Sequence, residues 1–113
     1  MPLVELNDDN FDDFVNSNSY QSLVLVDFYK SQGCGRCELH VDILRNLADE
    51  FSKDVNIARI DVDKNSIVAM RFRLIDFPTI AFFVRGQAEL TSPGVKGAGT
   101  LRQMIRQKLV SPE

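Results

Sequence analysis

The tetrapeptide Cys34-Gly35-Arg36-Cys37 holds the only two cysteines of the chain and constrains its fold more than any other feature. An apolar segment with the composition of a buried strand, Leu23–Tyr29, precedes it, and a helical pattern begins directly after it. At such a junction the first thiol meets the positive end of the helix dipole, which stabilises its thiolate. A redox-active dithiol is favoured over an inert buried pair or half of a zinc site. Structural zinc takes four ligands, and His40 is the only histidine.

Length and charge exclude several classes of protein. At 113 residues the chain is long enough for a single domain, residues 1–113, with its own hydrophobic core. A net charge of −3 argues against a basic nucleic-acid-binding face, and no apolar run approaches the ~18 residues of a membrane span. The first nine residues lack the features of a signal peptide, so we expect a cytoplasmic protein. A secretory compartment is the alternative if the chain is an excised domain.

Hydrophobic periodicity predicts five strands and four helices in the order βαβαβαββα. The strands are predicted over residues 4–6, 23–29, 55–62, 79–84 and 88–91. The helices are predicted from a cap at residue 7 or 8 to a break at residues 16–19, from 38 to near 53–54, over 65–72, and from a cap at Thr100 to 110. This alternation implies an α/β fold with a mixed sheet that is covered by helices on both faces.

Taken with that order, the motif resembles the active site of the thioredoxin family, and the likeness covers about residues 4–110. It rests on Val26-Asp27-Phe28-Tyr29, Cys34-Gly35-Arg36-Cys37, Ile60-Asp61-Val62-Asp63, Phe77-Pro78-Thr79-Ile80 and Gly86. Asn10-Phe11 and Met70-Arg71-Phe72 are also similar to catalytic domains of protein disulfide isomerases. The resemblance implies the thioredoxin fold.

The resemblance also implies roles for the residues of the motif. Cys34 would be the exposed attacking thiol, Cys37 the resolving thiol, and the two would form the disulfide of the oxidised state. Gly35 and Arg36 would surround the sulfurs. A cation at Arg36 would stabilise the thiolate and make the disulfide more oxidising. We therefore expect a potential between about −270 mV, as in thioredoxin, and about −180 mV, as in the isomerase.

Asp27 follows four apolar residues of the predicted central strand. Buried there, its carboxyl would have a raised pKa and, as the resemblance implies, would accept the Cys37 proton through a water molecule. The alternative is a solvated aspartate at a strand end. Arg59 stands where the family often has a lysine, and it either pairs with Asp27 or points to solvent. His40 is interpreted as a plain helix-face histidine rather than a proton shuttle.

Substrate binding is implied at a second segment. Pro78 resembles the family's cis-proline beside the disulfide, whereas the local sequence alone favours an ordinary trans proline at the start of a strand. The cis form would expose the backbone of Phe77, where a substrate segment would pair as an added strand. The family pattern also assigns substrate binding to Gly97.

The chain departs from the family pattern near the motif. Gly33 replaces the tryptophan that usually precedes the first cysteine, and the chain has no tryptophan. One extra residue separates Asp27 from Cys34. We therefore expect a looser loop with a reduced apolar rim. Gly99 stands where isomerase domains carry an arginine, which weakens the interpretation of the chain as an isomerase domain.

We therefore expect a thiol–disulfide oxidoreductase that acts on protein substrates through transient mixed disulfides, as a thioredoxin-like reductant. A reductase or the glutathione pool would donate the electrons. No metal, organic cofactor, nucleic acid or membrane is implied, and we expect a monomer. The alternatives are an oxidase or isomerase domain of the protein disulfide isomerase type, and a non-catalytic module whose binding is switched by the disulfide.

Overall fold

The computed structural model describes residues 3–110 and contains the predicted sequence of strands and helices. The strands are β1 (Val4–Leu6), β2 (Leu23–Tyr29), β3 (Val55–Asp61), β4 (Thr79–Val84) and β5 (Gln87–Pro93). The helices are α1 (Phe11–Ser19), α2 (Leu39–Glu50), α3 (Ser66–Phe72) and α4 (Ala98–Val110). A short 3₁₀ helix over Gly35–Glu38 leads into α2.

The five strands form one mixed sheet in the order β1-β3-β2-β4-β5. Strands β1, β3 and β2 run parallel, while β4 runs antiparallel to β2 and forms a hairpin with β5. The predicted fold class is confirmed. Strand β2 lies in the centre, so its carboxyl end delivers the Cys34–Cys37 motif from the middle of the sheet.

Side chains of β2 alternate between two separate hydrophobic cores, because successive residues of a strand point to opposite faces. Val24, Val26 and Phe28 pack with residues of α1 and α3. Leu23 and Leu25 pack on the other face with residues of α2 and α4. Helices therefore cover both faces of the sheet, as predicted.

Several boundaries differ from the predictions because tertiary contacts override local sequence preferences. Helix α1 continues through residues 16–19, since Ser19 is buried and accepts hydrogen bonds from the Arg85 and Gly86 backbone amides. Helix α2 ends at Glu50, before the predicted 53–54. Helix α4 begins at Ala98 rather than after Thr100, and strand β5 extends to Pro93.

Candidate redox site

Cys34 and Cys37 form a disulfide at the point where β2 gives way to the helices. Their Cα atoms are 5.4 Å apart. Cys34 is partly exposed and directly precedes the 3₁₀ helix, whereas Cys37 lies inside that helix and is 1% exposed. A reagent from solvent therefore meets Cys34 first. This is the asymmetry that an attacking and a resolving cysteine require.

The loop before β4 lies against the disulfide. The Phe77-Pro78 peptide bond is cis, as the resemblance implies, and Pro78 is buried. The Phe77 carbonyl oxygen lies 3.8 Å from the Cys34 sulfur. It also accepts a hydrogen bond from Nε of Arg36 at 3.0 Å. Arg36 therefore joins the disulfide loop to the backbone predicted to receive substrate, a contact that no local sequence pattern indicates.

Asp27 is completely buried, which excludes the solvated strand-end alternative. Its Oδ2 accepts a hydrogen bond from Nε of Arg59 at 3.0 Å, and Arg59 is itself only 7% exposed. Of the two options left open for Arg59, pairing with Asp27 is correct. A second guanidinium nitrogen of Arg59 lies 3.3 Å from the carbonyl oxygen of Cys37 and donates to it. The ion pair thus contacts the backbone of the buried cysteine.

Tyr29 supports Arg59 from the side. Its ring lies 3.7 Å from the guanidinium carbon, and its hydroxyl donates a hydrogen bond of 2.6 Å to Glu5. Partial burial, and then the bond to Glu5, raise the pKa of the Tyr29 hydroxyl. The ring stays neutral, and its face stabilises the cation.

The interpretation of His40 as a plain helix-face residue is wrong. His40 is completely buried on the sheet-facing side of α2. Its Nδ1 lies 3.2 Å from Oδ1 of Asp27, and its Nε2 accepts a hydrogen bond of 3.0 Å from the Lys96 backbone amide. The sequence carries a signal for this position, because residues 37, 40, 44, 47 and 51 follow steps of three and four and all are buried.

The loop between β2 and the disulfide is fastened to the end of β3, which does not fit the expected loose loop. The Ser31 amide donates to the Asp61 side chain at 3.2 Å, and the Gln32 amide donates to Asp63 at 2.9 Å. Lys30 pairs with Asp63 at 3.0 Å, and this hydrogen bond is the main reason why the pKa of Asp63 is lowered. Gly33 has a φ of +68°, so a glycine suits this turn better than a bulky side chain does.

Gly35 and Gly97 complete the predicted site residues. Gly35 is exposed at the start of the 3₁₀ helix. Gly97 is exposed in the loop before α4, and its carbonyl accepts from the Leu101 amide at 3.0 Å. It directly follows Lys96, so it is next in the chain to the amide that binds His40. Its predicted contact with substrate stays a prediction.

Residues 3–110 contain no group of three or more histidine, cysteine, aspartate or glutamate residues that could hold a metal ion. In the same part of the chain, no helix has both the length and the apolar character needed to cross a membrane.

Comparison with known proteins identifies similar sequences along nearly the entire chain. The family model described as Thioredoxin matches residues 2–107. A thioredoxin of Staphylococcus saprophyticus is 31% identical over 109 residues, which are 96% of this chain and 100% of that protein. A thioredoxin of Mycobacterium tuberculosis is 37% identical over 82 residues, 72% of this chain and 70% of that protein.

A third relative is a longer protein whose name combines a reductase and a thioredoxin. The bifunctional thioredoxin reductase/thioredoxin of Mycobacterium leprae is 33% identical over 98 residues. The match covers 87% of this chain but 21% of that protein. The chain therefore resembles one part of that larger protein.

Proposed function

Because the chain belongs to the thioredoxin family and is a thiol–disulfide oxidoreductase of the thioredoxin type, we propose that Cys34 is its attacking cysteine and Cys37 its resolving cysteine. The observation that carries this assignment is the difference in exposure between the two cysteines of one disulfide, since Cys34 is partly exposed and Cys37 is 1% exposed. A substrate disulfide reaches only the partly exposed sulfur. The buried sulfur is left to react inside the protein.

The catalytic cycle runs in the reductive direction. The Cys34 thiolate attacks one sulfur of a protein disulfide, forms a mixed disulfide, and releases the other substrate sulfur as a thiolate. Cys37 then loses its proton and attacks the Cys34 sulfur. The Cys34–Cys37 disulfide forms, the bond to the substrate breaks, and the substrate leaves with the electron pair. Two electrons have passed from the dithiol to the substrate.

Asp27 is the proton acceptor for Cys37 in this proposal, through an intervening water molecule. Its burial and its link through Arg59 to the Cys37 carbonyl support the role. Arg59 balances the charge of the carboxylate, which offsets part of the cost of burying it. A buried carboxylate joined through Arg59 to the backbone of the resolving cysteine has the chemistry that this step needs.

The substrate is a protein segment that approaches Cys34 beside Phe77, Pro78 and Gly97. The Phe77 carbonyl already accepts a hydrogen bond from Arg36. A segment that adds as a strand therefore competes with Arg36 for this oxygen. Arg36 thus affects substrate binding as well as the charge near the sulfurs.

A thioredoxin reductase is the proposed electron donor, since one similar protein carries both names in a single chain. The glutathione pool is a second donor to test. We also propose that the protein is a monomer and acts in the cytoplasm. The relatives named above are bacterial thioredoxins, which gives the secretory alternative no support.

The test is reduction of insulin with dithiothreitol, followed by trapping. Wild type accelerates the reaction, and Cys34→Ser abolishes the acceleration because the attacking sulfur is lost. Cys37→Ser accumulates a mixed disulfide with the substrate, which a non-reducing gel detects. If Cys34→Ser rather than Cys37→Ser accumulates that species, the two roles are exchanged. If wild type binds partners but matches the uncatalysed rate, the chain is a redox-switched binding module.

A redox titration against glutathione separates a reductant from an oxidase or isomerase. We expect a potential between about −270 and about −180 mV, because the Arg36 cation favours the thiolate of the reduced form. A value at or below that of thioredoxin contradicts the argument from Arg36.

A further inference from the structure

We propose that His40 is a positioning residue for the proton transfer at Cys37, because it joins the Asp27 carboxylate to the backbone of the loop before α4. The inference rests on the proposed role of Asp27 as proton acceptor. It extends that role to a histidine that is completely buried and has a partner for each ring nitrogen.

The hydrogen bonds of His40 determine which of its nitrogens carries hydrogen. The Lys96 backbone N–H is only a donor, so Nε2, at 3.0 Å, must accept and is unprotonated. A neutral imidazole then carries its hydrogen on Nδ1, which donates to Oδ1 of Asp27 at 3.2 Å. Protonation of Nε2 would place one N–H against another. His40 is therefore a neutral, oriented donor to the carboxylate.

Both oxygens of Asp27 are consequently held by separate elements. Oδ1 is held by His40 of α2, and Oδ2 by Arg59 of β3. The loop before α4 contributes only the Lys96 backbone to His40, because the Lys96 ammonium is bonded to the Pro93 and Gly94 carbonyls. Among the described residues, the side chains that hydrogen-bond to the carboxyl are thus one arginine and one neutral histidine.

This arrangement has a consequence for the resolving step. The Cys37 thiol passes its proton to the carboxylate, and the resulting thiolate forms the Cys34–Cys37 bond while the substrate leaves as a thiolate. His40 gains and loses no proton. Its hydrogen bond favours the ionised carboxylate, which is the form that accepts the proton. Without that bond the ionised carboxylate loses one of its two side-chain donors, and we expect the resolving step to slow in mildly acidic solution.

The experiment uses a disulfide reagent that reports both steps. The reduced protein is mixed with dithionitrobenzoate in a stopped-flow instrument between pH 5 and pH 9. The first release of thionitrobenzoate marks attack by Cys34, and the second marks attack by Cys37. The first amplitude counts active protein, and Cys37→Ser identifies the second release by removing it.

Two substitutions separate the two bonds of His40. In His40→Gln the side-chain amide reaches toward the Nε2 position and keeps an acceptor for the Lys96 backbone N–H. In His40→Asn the shorter side-chain amide lies near the Nδ1 position and keeps a donor for Asp27. The rate of the second release falls toward low pH, and we call this part of its pH profile the acidic limb. We expect His40→Gln to move the acidic limb upward by about one pH unit, which corresponds to a tenfold change in a proton-binding equilibrium. His40→Asn should move it less. Asp27→Asn should slow the second release near neutral pH and leave its pH dependence to ionisation of the Cys37 thiol alone.

The outcomes distinguish the two levels of the argument. If Asp27→Asn leaves the acidic limb in place, the role of Asp27 is wrong and this inference falls with it. If Asp27→Asn slows the second release and moves its acidic limb but His40→Gln matches wild type, only the role of His40 is overturned. Long-range proton–nitrogen NMR spectra of wild type provide a check without substitution. We expect the Nδ1–H tautomer, and an Nε2–H tautomer contradicts the inference.

Discussion

Arg59→Met tests whether the ion pair with Asp27 is as thoroughly removed from water as the structure indicates. The substitution keeps a long apolar side chain but removes the guanidinium, and Asp27 then keeps only the hydrogen bond from His40. Removing one partner of a buried ion pair costs roughly 3–5 kcal/mol, because the other charge stays buried without compensation. Loss of the contact with the Tyr29 ring adds about 0.5–2 kcal/mol.

The assay is urea unfolding of the oxidised protein at pH 7. The two contributions together give a loss of roughly 3.5–7 kcal/mol, a large share of the roughly 5–15 kcal/mol that stabilise a domain. With a slope of about 1.5 kcal/mol per molar urea, the midpoint moves down by between about 2 and 5 M.

Two further variants identify the cause of the loss. Asp27→Asn combined with Arg59→Met should recover most of the stability, because the amide carries no charge and still offers an oxygen to His40. Arg71→Met is the matched control. Its pair with Asp12 is shorter, at 2.6 Å, but both side chains are largely exposed, so we expect a loss below about 1 kcal/mol. Equal losses for Arg59→Met and Arg71→Met would refute the reasoning, since burial would then contribute nothing.

Three more predictions concern the surroundings of the disulfide. Arg36→Met should make the reduction potential of the Cys34–Cys37 disulfide more negative in a glutathione titration, because the cation that stabilises the thiolate is lost. Arg36→Lys should keep a potential nearer that of wild type. An unchanged potential in Arg36→Met contradicts this electrostatic effect. Gly33→Ala should lose about 1 kcal/mol in urea unfolding because of its positive φ, whereas Gly35→Ala, with equally open space and no positive φ, should lose less. The pKa of the Tyr29 hydroxyl is raised, so the absorbance difference between wild type and Tyr29→Phe should show ionisation above the ordinary value of 10.0. The free energy of unfolding should fall as the pH rises past that value, because the unfolded chain loses this proton first. Ionisation at 10.0 or below would contradict the burial of the hydroxyl.

The predictable part of this protein depends on local pattern. The apolar run over Leu23–Tyr29 and the alternation after Val55 each correspond to a strand in the structure, because burial on the sheet requires those residue types. The cysteine pair and its position before a helix also follow from local sequence. These features were sufficient for the fold class and for the type of chemistry.

The parts that local pattern did not predict depend on partners distant in the chain. The local sequence places Ser19 in a helix break, but Ser19 stays in the helix because it accepts hydrogen bonds from the backbone amides of the Arg85-Gly86 turn. Arg59 was ambiguous because its partner, Asp27, lies 32 positions earlier on a neighbouring strand. His40 was misassigned because a polar residue on an apolar stripe needs a buried acceptor, and that acceptor becomes visible only once β2 and α2 are packed together.

The two faces of β2 have different roles, because one face carries the proposed proton acceptor and the other face carries only hydrophobic packing. Asp27 belongs to the row with Leu23 and Leu25, on the side of α2, and every hydrogen bond described for its carboxyl forms there. The opposite row packs against α1 and α3 with apolar and aromatic side chains. The α1 and α3 residues of that core can therefore be redesigned for stability without touching the partners of the Asp27 carboxyl, provided that Phe77, which packs against the same core, is kept.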